Sequence, residues 1–253
     1  GLHLRINQGQ PRALWKSKAS SGPFPMKIAA LIPAFNEEDY IAQTIRAVAS
    51  LDSVDEILVI DDGSSDNTSV LAQKTAKVLR STSNQGKGAA LNHGLKEVRA
   101  DIYLLLDADL GSSAHLAWEL VEPILHDQAD MTIARFDIQH SAPQARMGFG
   151  SVRKMASLGV RLLTGTKVHS PLSGQRAIRV AVLDAVGDFF EGFGVEVALT
   201  VGALHHGFRL LEVPLAMKHR AYGRGLKGLR HRGRQGIHII KALWQCYKRG
   251  WHL

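Results

Sequence analysis

From Met26 onward the chain alternates short apolar runs with segments of helical periodicity. Ile28 to Ile32 reads as a buried strand ended by Pro33. Asn36 reads as a helix N-cap, with Glu37, Glu38 and Asp39 in the first turn, where the helix dipole favours acids. Tyr40, Ile41, Ile45, Val48 and Ala49 then recur at helical spacing. Ile57–Ile60 is a second strand, 67–77 a helix, Lys77–Leu79 a short strand and 88–97 a helix. Ile102–Leu106 and Met131–Ala134 are further strands. The stretch 135–220 is less regular: a helix over 149–163, a helix over 195–206 and a strand over Arg209–Val213. Last comes an amphipathic helix, 237–251, with Ile240, Leu243, Trp244, Tyr247 and Trp251 on one face. Repeated strand–helix–strand units predict an α/β fold with a mostly parallel central sheet and helices on both faces. Ligands bind such sheets beyond the carboxyl ends of the strands. The polar motifs fall there: Pro33–Glu38, Asp61–Asp66 and Asp107–Asp109.

Charge divides the chain. The 253 residues carry a net charge of +8, but residues 1–25 hold four basic residues and no acid. The body, 26–212, holds 17 basic and 23 acidic residues, and 213–253 hold ten basic residues and no acid. The expected organisation is therefore an N-terminal tail (1–25), one folded domain (26–220, halves 26–134 and 135–220), and a basic flexible segment with its amphipathic helix (221–253). A single cysteine, Cys246, excludes an internal disulfide framework and a cysteine-rich zinc site. No apolar run reaches the roughly 18 residues of a membrane span, and no signal-peptide h-region is visible. A cytoplasmic location is expected, peripheral to the inner face of a membrane if the basic end binds one.

The candidate chemistry lies at the predicted strand ends. Asp107-Ala108-Asp109 follows a buried strand, and carboxylates two apart can share one hard cation, Mg²⁺ or Mn²⁺. The other reading is a loop cap. Adjacent carboxylates Asp61 and Asp62 can accept hydrogen bonds from a nucleobase and ribose, or simply form a turn. Asn84–Gly88 lacks Walker A spacing, yet its glycines admit close backbone approach and Lys87 can meet an anion. Glu191 and Glu196 are acid/base candidates. Residues 218–234, with seven Lys or Arg and four glycines, suit a mobile lid over a diphosphate or an anionic membrane contact. No nucleic-acid module accompanies them, so a nucleic-acid partner is not expected. Tryptophans on the 237–251 segment favour an interfacial helix; docking on the body or in a homodimer is the other expectation.

Taken in order, "LIPAFNEEDYI", "VIDDGSSDNT", "NQGKGAALNHGL" and "YLLLDADL" resemble the nucleotide-binding half of family 2 glycosyltransferases, over about residues 27–220. The resemblance implies a GT-A (Rossmann-like) fold and transfer from a nucleoside-diphosphate sugar, UDP- or GDP-linked, with inversion. It implies that Pro33, Ala34, Glu37, Asp61 and Asp62 hold the nucleoside and Lys87 lies near base and phosphates. It further implies that Asp107, Ala108 and Asp109 hold the metal–diphosphate unit. "SGQRAIR" and "RLLEVPLAMKHR" look like polyprenyl-phosphate sugar synthases, whose arginine after the fifth strand Arg135 matches. That group has Asp where this chain has Ser170. "PLSGQRA" and "FEGFGVEVAL" with the later "HR" also look like glucosyl-3-phosphoglycerate synthases, which retain configuration and complete the metal site with a histidine matching His219. Together these imply catalytic roles for Asp109, Glu196 and Arg176, and diphosphate contacts from Lys87, Arg135, Arg176 and Arg220. The expected acceptor is a polyprenyl phosphate at the bilayer face, or else a small phosphorylated acceptor such as 3-phosphoglycerate. A nucleotidyltransferase is disfavoured because a Gly-rich, basic first loop is missing after Leu31-Ile32-Pro33. A non-catalytic sugar-nucleotide-binding module is the remaining class.

Overall fold

The computed structural model describes residues 26–136, 149–188, 194–217 and 226–253, and side chains at most of these positions. Seven strands form one sheet: β1 (Ile28–Ala34), β2 (Glu56–Asp61), β3 (Lys77–Arg80), β4 (Ile102–Leu105), β5 (Met131–Phe136), β6 (Arg176–Arg179) and β7 (Leu210–Leu215). Their order is β3-β2-β1-β4-β6-β5-β7. β6 pairs antiparallel with both neighbours, while every other pairing is parallel. The expected mostly parallel α/β sheet is thus present, with one reversed strand that periodicity did not announce.

Side chains alternate between two cores. Ala29, Leu31, Leu58, Ile60, Tyr103 and Leu105 face one core. It is completed by α3 (Lys87–Glu97), α5 (Phe149–Thr164), α6 (Val180–Val186), α7 (Val195–His205) and α8 (Leu226–Lys248). Ile28, Ala30, Ile32, Val59, Ile102 and Leu104 face the other, covered by α1 (Ile41–Ala49), α2 (Thr68–Ala72) and α4 (Trp118–Leu125). Helices therefore cover both faces, which is why the strands read as unbroken apolar runs.

Three expected boundaries move. β1 runs through Pro33 to Ala34 instead of ending at Pro33. Leu31 O accepts the Leu106 N–H and Ala34 O accepts the Asp62 N–H, so odd residues of β1 face β4. Pro33, lacking an N–H, faces the side on which the β4 ladder has already ended at Leu105. Asn36 is not an N-cap: α1 begins at Ile41, and Asn36 adopts φ 56, a conformation asparagine tolerates. Glu37–Tyr40 form a preceding turn closed by Ile41 N–H to Glu37 O. The last helix begins at Leu226 instead of 237 and runs across Gly228, Gly233 and Gly236. Each glycine costs such a helix about 1 kcal/mol. Packing of Ile239, Ala242 and Cys246 into the core offsets this. The tail 1–25 and the loops containing Glu191, His219 and Arg220 lie outside the described residues.

At the edge opposite the polar loops, Asp130 gathers Arg209 and Arg179 at 2.9 and 3.6 Å. Burial alone would raise the Asp130 pKa, but the Arg209 hydrogen bonds outweigh it and hold it below the usual carboxylate range. The pair's contribution is present above the unfolded value near 3.8 and lost as pH falls through the lower folded value. Arg209 is half exposed, so after screening Asp130→Asn is expected to cost about 1 kcal/mol. Melting curves at pH 7 and below pH 3 check this: the gap between wild type and variant closes in acid.

Candidate active site

Four loops at the carboxyl ends of β1, β2, β3 and β4 are tied together by side chains. Asn36 N–H donates to Ser64 Oγ at 2.9 Å, and Asn36 Oδ1 accepts the Ser65 N–H at 2.9 Å. Glu37 N–H donates to Thr68 Oγ1, and Glu38 Oε2 accepts the Asn67 N–H. The β1 and β2 loops are thereby locked to each other. Asp62, 4% exposed, accepts the Gln85 and Gly86 N–H groups at 2.9 and 2.7 Å, which ties the β2 loop to the start of α3. Gly86 takes φ 94 there, a conformation glycine adopts freely.

That anchoring presents Lys87 at the first turn of α3. Its Nζ lies 2.7 Å from Asp107 Oδ1 and 2.8 Å from Glu196 Oε1. Burial works against the ammonium, but the facing carboxylates Asp107 and Glu196 prevail and hold its pKa well above the ordinary lysine value. Asp107 stands just beyond β4; Glu196 stands in the first turn of α7. Lys87 thus reaches Asp107, 20 positions on in sequence, and Glu196, 109 positions on, with one ammonium.

The other oxygen of Asp107 accepts a hydrogen bond from Gln175 Nε2 at 2.6 Å. Gln175 is fully buried, and its own Oε1 accepts from Ser173 Oγ. A Cβ on the intervening Gly174 would lie 2.5 Å from Lys87 Nζ and 2.7 Å from both Asp107 carboxylate oxygens. Glycine is therefore required for the ion pair to sit against this wall. Behind the next loop residue, buried Thr44 of α1 donates to Ala108 O at 2.8 Å and accepts the Gly111 N–H at 2.9 Å. Ala108 is buried, so Asp107 and Asp109 flank a pinned residue while both remain partly exposed. Gln175, Gly174 and Thr44 were not singled out from sequence. The only available signal was the Ser173–Arg179 motif, which drew attention to its arginine instead.

Several expected roles shift. Arg176 does not line the open site: its side chain is fully buried, donating to Ser173 O, Pro171 O and Thr200 Oγ1. Burial lowers its pKa to about 10, against the opposing fields of Glu196, Glu212 and Asp107. It remains cationic at neutral pH. Thr200 Oγ1 in turn donates to Glu196 O, so Arg176 supports the turn that carries Glu196. Asp61 is also fully buried, capping its own turn by accepting the Ser64 N–H, with Arg80 Nε 3.3 Å from its other oxygen. It shapes the loop instead of facing a ligand. Pro33 and Ala34 form the floor at the end of β1, Ala34 buried and Pro33 partly open. Glu37 is partly buried at the loop's edge. Arg135 is exposed on β5, opposite Pro214, two strands from β4 and so about 10 Å across the same sheet edge. Ser170 donates its N–H to Glu212 Oε1 at 2.6 Å.

Asp107 and Asp109 also fit the requirements of a hard divalent cation. Among the described residues no group of three or more His, Cys, Asp or Glu gathers. Two carboxylates alone are what Mg²⁺ or Mn²⁺ uses when waters and substrate phosphates supply its remaining ligands. Lys87 would have to yield or share Asp107 Oδ1.

This arrangement defines an α/β enzyme whose anion and cation chemistry sits at the strand ends around β1 and β4. Residues 29–187 match the sequence profile of Glycosyl transferase family 2, and the chain belongs to that family. A dolichol-phosphate mannosyltransferase of Pyrococcus furiosus is 28% identical over 219 residues, covering 80% of this chain and 60% of that protein. The polyprenol monophosphomannose synthase of Mycolicibacterium smegmatis is 29% identical over 210 residues, covering 76% and 78%. Among solved structures, glucosyl-3-phosphoglycerate synthase from Mycobacterium tuberculosis with Mg²⁺ and UDP superposes with a TM-score of 0.72. It is 27% identical, over 87% of this chain and 79% of that one. The same enzyme has been crystallised with Mn²⁺, UDP-glucose and phosphoglyceric acid.

Gly174→Ala tests the wall behind Asp107. The added methyl must displace both the Lys87 ammonium and the Asp107 carboxylate, since it would stand 2.5 Å from the one and 2.7 Å from the oxygens of the other. Loss of one well-placed electrostatic contact is expected to lower glycosyl transfer at least about tenfold. Thermal melting is measured alongside: a retained cooperative transition with lowered transfer marks displacement of the ion pair, and loss of the transition marks general unfolding.

Proposed function

We propose that this protein transfers a sugar from a nucleoside-diphosphate sugar to a phosphorylated acceptor, and that the acceptor is a polyprenyl phosphate at the bilayer face. The observation that carries the reading is the Lys87–Asp107–Glu196 cluster at the switch point of the sheet. The mannosyltransferase relatives support the polyprenyl acceptor.

In this reading the nucleoside lies over Pro33 and Ala34, beside Glu37 and the Asp62-anchored loop. A divalent cation held by Asp107 and Asp109, Mg²⁺ or Mn²⁺, would offset the charge of the diphosphate leaving group. Lys87 moves from Asp107 towards the donor phosphates when these arrive, an exchange of one anionic partner for another. Exposed Arg135 supplies further positive charge from the acceptor side. Arg220 and His219, outside the described residues, would add a cation and a metal ligand from the basic segment. Preorganised charge of this kind is the largest single term in many enzymes. Glu196 has two uses. With an anionic phosphate acceptor it needs to remove no proton and orients Lys87; with a hydroxyl acceptor its carboxylate is placed to take the proton.

A second reading has its own support. The solved neighbours point to a small phosphorylated acceptor, 3-phosphoglycerate, with the same donor chemistry. Product analysis separates the two. Inverted mannosyl- or glucosyl-phosphoprenol is expected; a retained glycosidic bond to phosphoglycerate would replace this proposal with the second.

The donor site is tested by thermal shift against UDP- and GDP-sugars, each with and without Mn²⁺. Specific binding to the native state at 100 times Kd stabilises it by about 2.7 kcal/mol. One nucleotide is expected to raise the melting temperature by several degrees, and only with metal. Asp109→Asn should remove the metal-dependent part of the shift and lower turnover by at least about a hundredfold. A nucleotidyltransferase would instead release diphosphate from a nucleoside triphosphate and sugar phosphate. A binding module would show the shift but no wild-type turnover.

A further inference from the structure

Helix α8 carries two apolar faces. One is buried: Ile239, Ala242 and Cys246 are essentially inaccessible and pack with α5 and α7. Sequence periodicity placed Ile240, Leu243, Trp244, Tyr247 and Trp251 together, but the structure divides them. Leu243 joins the body, its side chain lying where a Cβ on Gly159 of α5 would stand, and Trp251 is buried. Ile237, Ile240, Trp244 and Tyr247 form a separate stripe at helical spacing, each between 56% and 58% exposed. Lys241 and Lys248 lie along its edge, with Lys248 Nζ 3.8 Å from the Trp244 ring centroid. Neighbouring α5 leaves Leu158 and Leu162 exposed one turn apart, with Lys154 and Arg161 exposed on the same helix.

We infer that this stripe is the surface by which the protein lies on an anionic lipid bilayer. A helix that only docked on the body would need one apolar face. The second face is bordered by lysines whose stems can lie along apolar surface while their heads meet lipid phosphates. Aromatic side chains with polar edges suit the same depth. Charge complementarity selects the occupant: residues 213–253 hold ten basic residues and no acid. Two copies joined stripe to stripe would bring Lys241 and Lys248 of each against the same residues of the other, with no acid within 213–253 to answer them. Near an anionic membrane each basic residue contributes up to about 1 kcal/mol.

The placement also concerns the active site, and in this respect the inference rests on the polyprenyl-phosphate reading. Ala242 on the buried face of α8 packs against Gly194, where a Cβ would come within 2.5 Å of it. Two residues later α7 presents Glu196. The helix lying on lipid is thus the one packed behind the turn that faces the acceptor, so a lipid-borne phosphate enters beside it.

Flotation of the full chain with vesicles tests the inference. Binding is expected to phosphatidylcholine vesicles containing about a third phosphatidylglycerol, to weaken with salt, and to fail with phosphatidylcholine alone. The Ile240→Ser, Trp244→Ser double variant, altered only at exposed positions, should lose at least about tenfold in vesicle affinity while keeping the wild-type melting temperature and donor-nucleotide shift. Equal flotation of the double variant, or none by the wild type, overturns the inference. So does concentration-dependent dimerisation of the wild type that the variant abolishes, which would assign the stripe to a second copy. Transfer to a short, water-soluble prenyl phosphate without vesicles reads the acceptor independently. Transfer without flotation defeats the surface alone; flotation without transfer to any prenyl phosphate defeats the acceptor alone.

Discussion

The ammonium of Lys87, held between Asp107 and Glu196, organises the site. It joins the end of a central strand to the start of a helix from the second half of the chain. Two carboxylates brought this close would repel each other without it. Burial costs the lysine its hydration, so the pairing depends on close geometry with both carboxylates, and removing one partner would leave an uncompensated charge. Everything around it serves that geometry. Asp62 fixes the backbone that presents Lys87, Gln175 fixes the plane of Asp107, and Arg176 with Thr200 supports the turn carrying Glu196.

Much of this was legible in the sequence. Buried strands of a parallel sheet are continuous apolar runs, so β1, β2, β4 and β5 stood out, and the polar motifs after them marked the ligand-binding edge. Asp107, Asp109, Lys87 and Glu196 were named from motif order, and the structure brings three of them into contact. What escaped was of two kinds. Antiparallel β6 is four residues long and carries arginines at both ends, so it offers no period to read. The supporting residues Gln175, Gly174 and Thr44 act by burial and direction, which sequence does not display. Arg176 shows the reverse error: a motif arginine suggested phosphate contact, but a buried position with carbonyl acceptors makes it a brace. Asp61 and Asp62 look alike in sequence, yet one caps its own turn and the other ties down a neighbouring loop.

The division of charge also has a structural counterpart. The acids that matter most are buried or half-buried at the sheet edge, where they are answered by few, well-placed cations. On α8, cations instead border exposed apolar groups. Among the described residues no helix is long and apolar enough to cross a membrane. An amphipathic helix that packs on one side and remains apolar on the other can bring the catalytic edge to a surface without spanning it.

The reversal of β6 has one more consequence. In a wholly parallel sheet, the edge that binds ligands is built from strand endings and the loops after them, and loops drift readily in length and shape. Because β6 runs the other way, a strand beginning arrives at that edge. Gln175 already joins the ladder, its carbonyl accepting the Ala134 N–H. The wall behind Asp107 therefore inherits the rigidity of the sheet. Loops on either side are free to diversify while the wall behind Asp107 keeps its place.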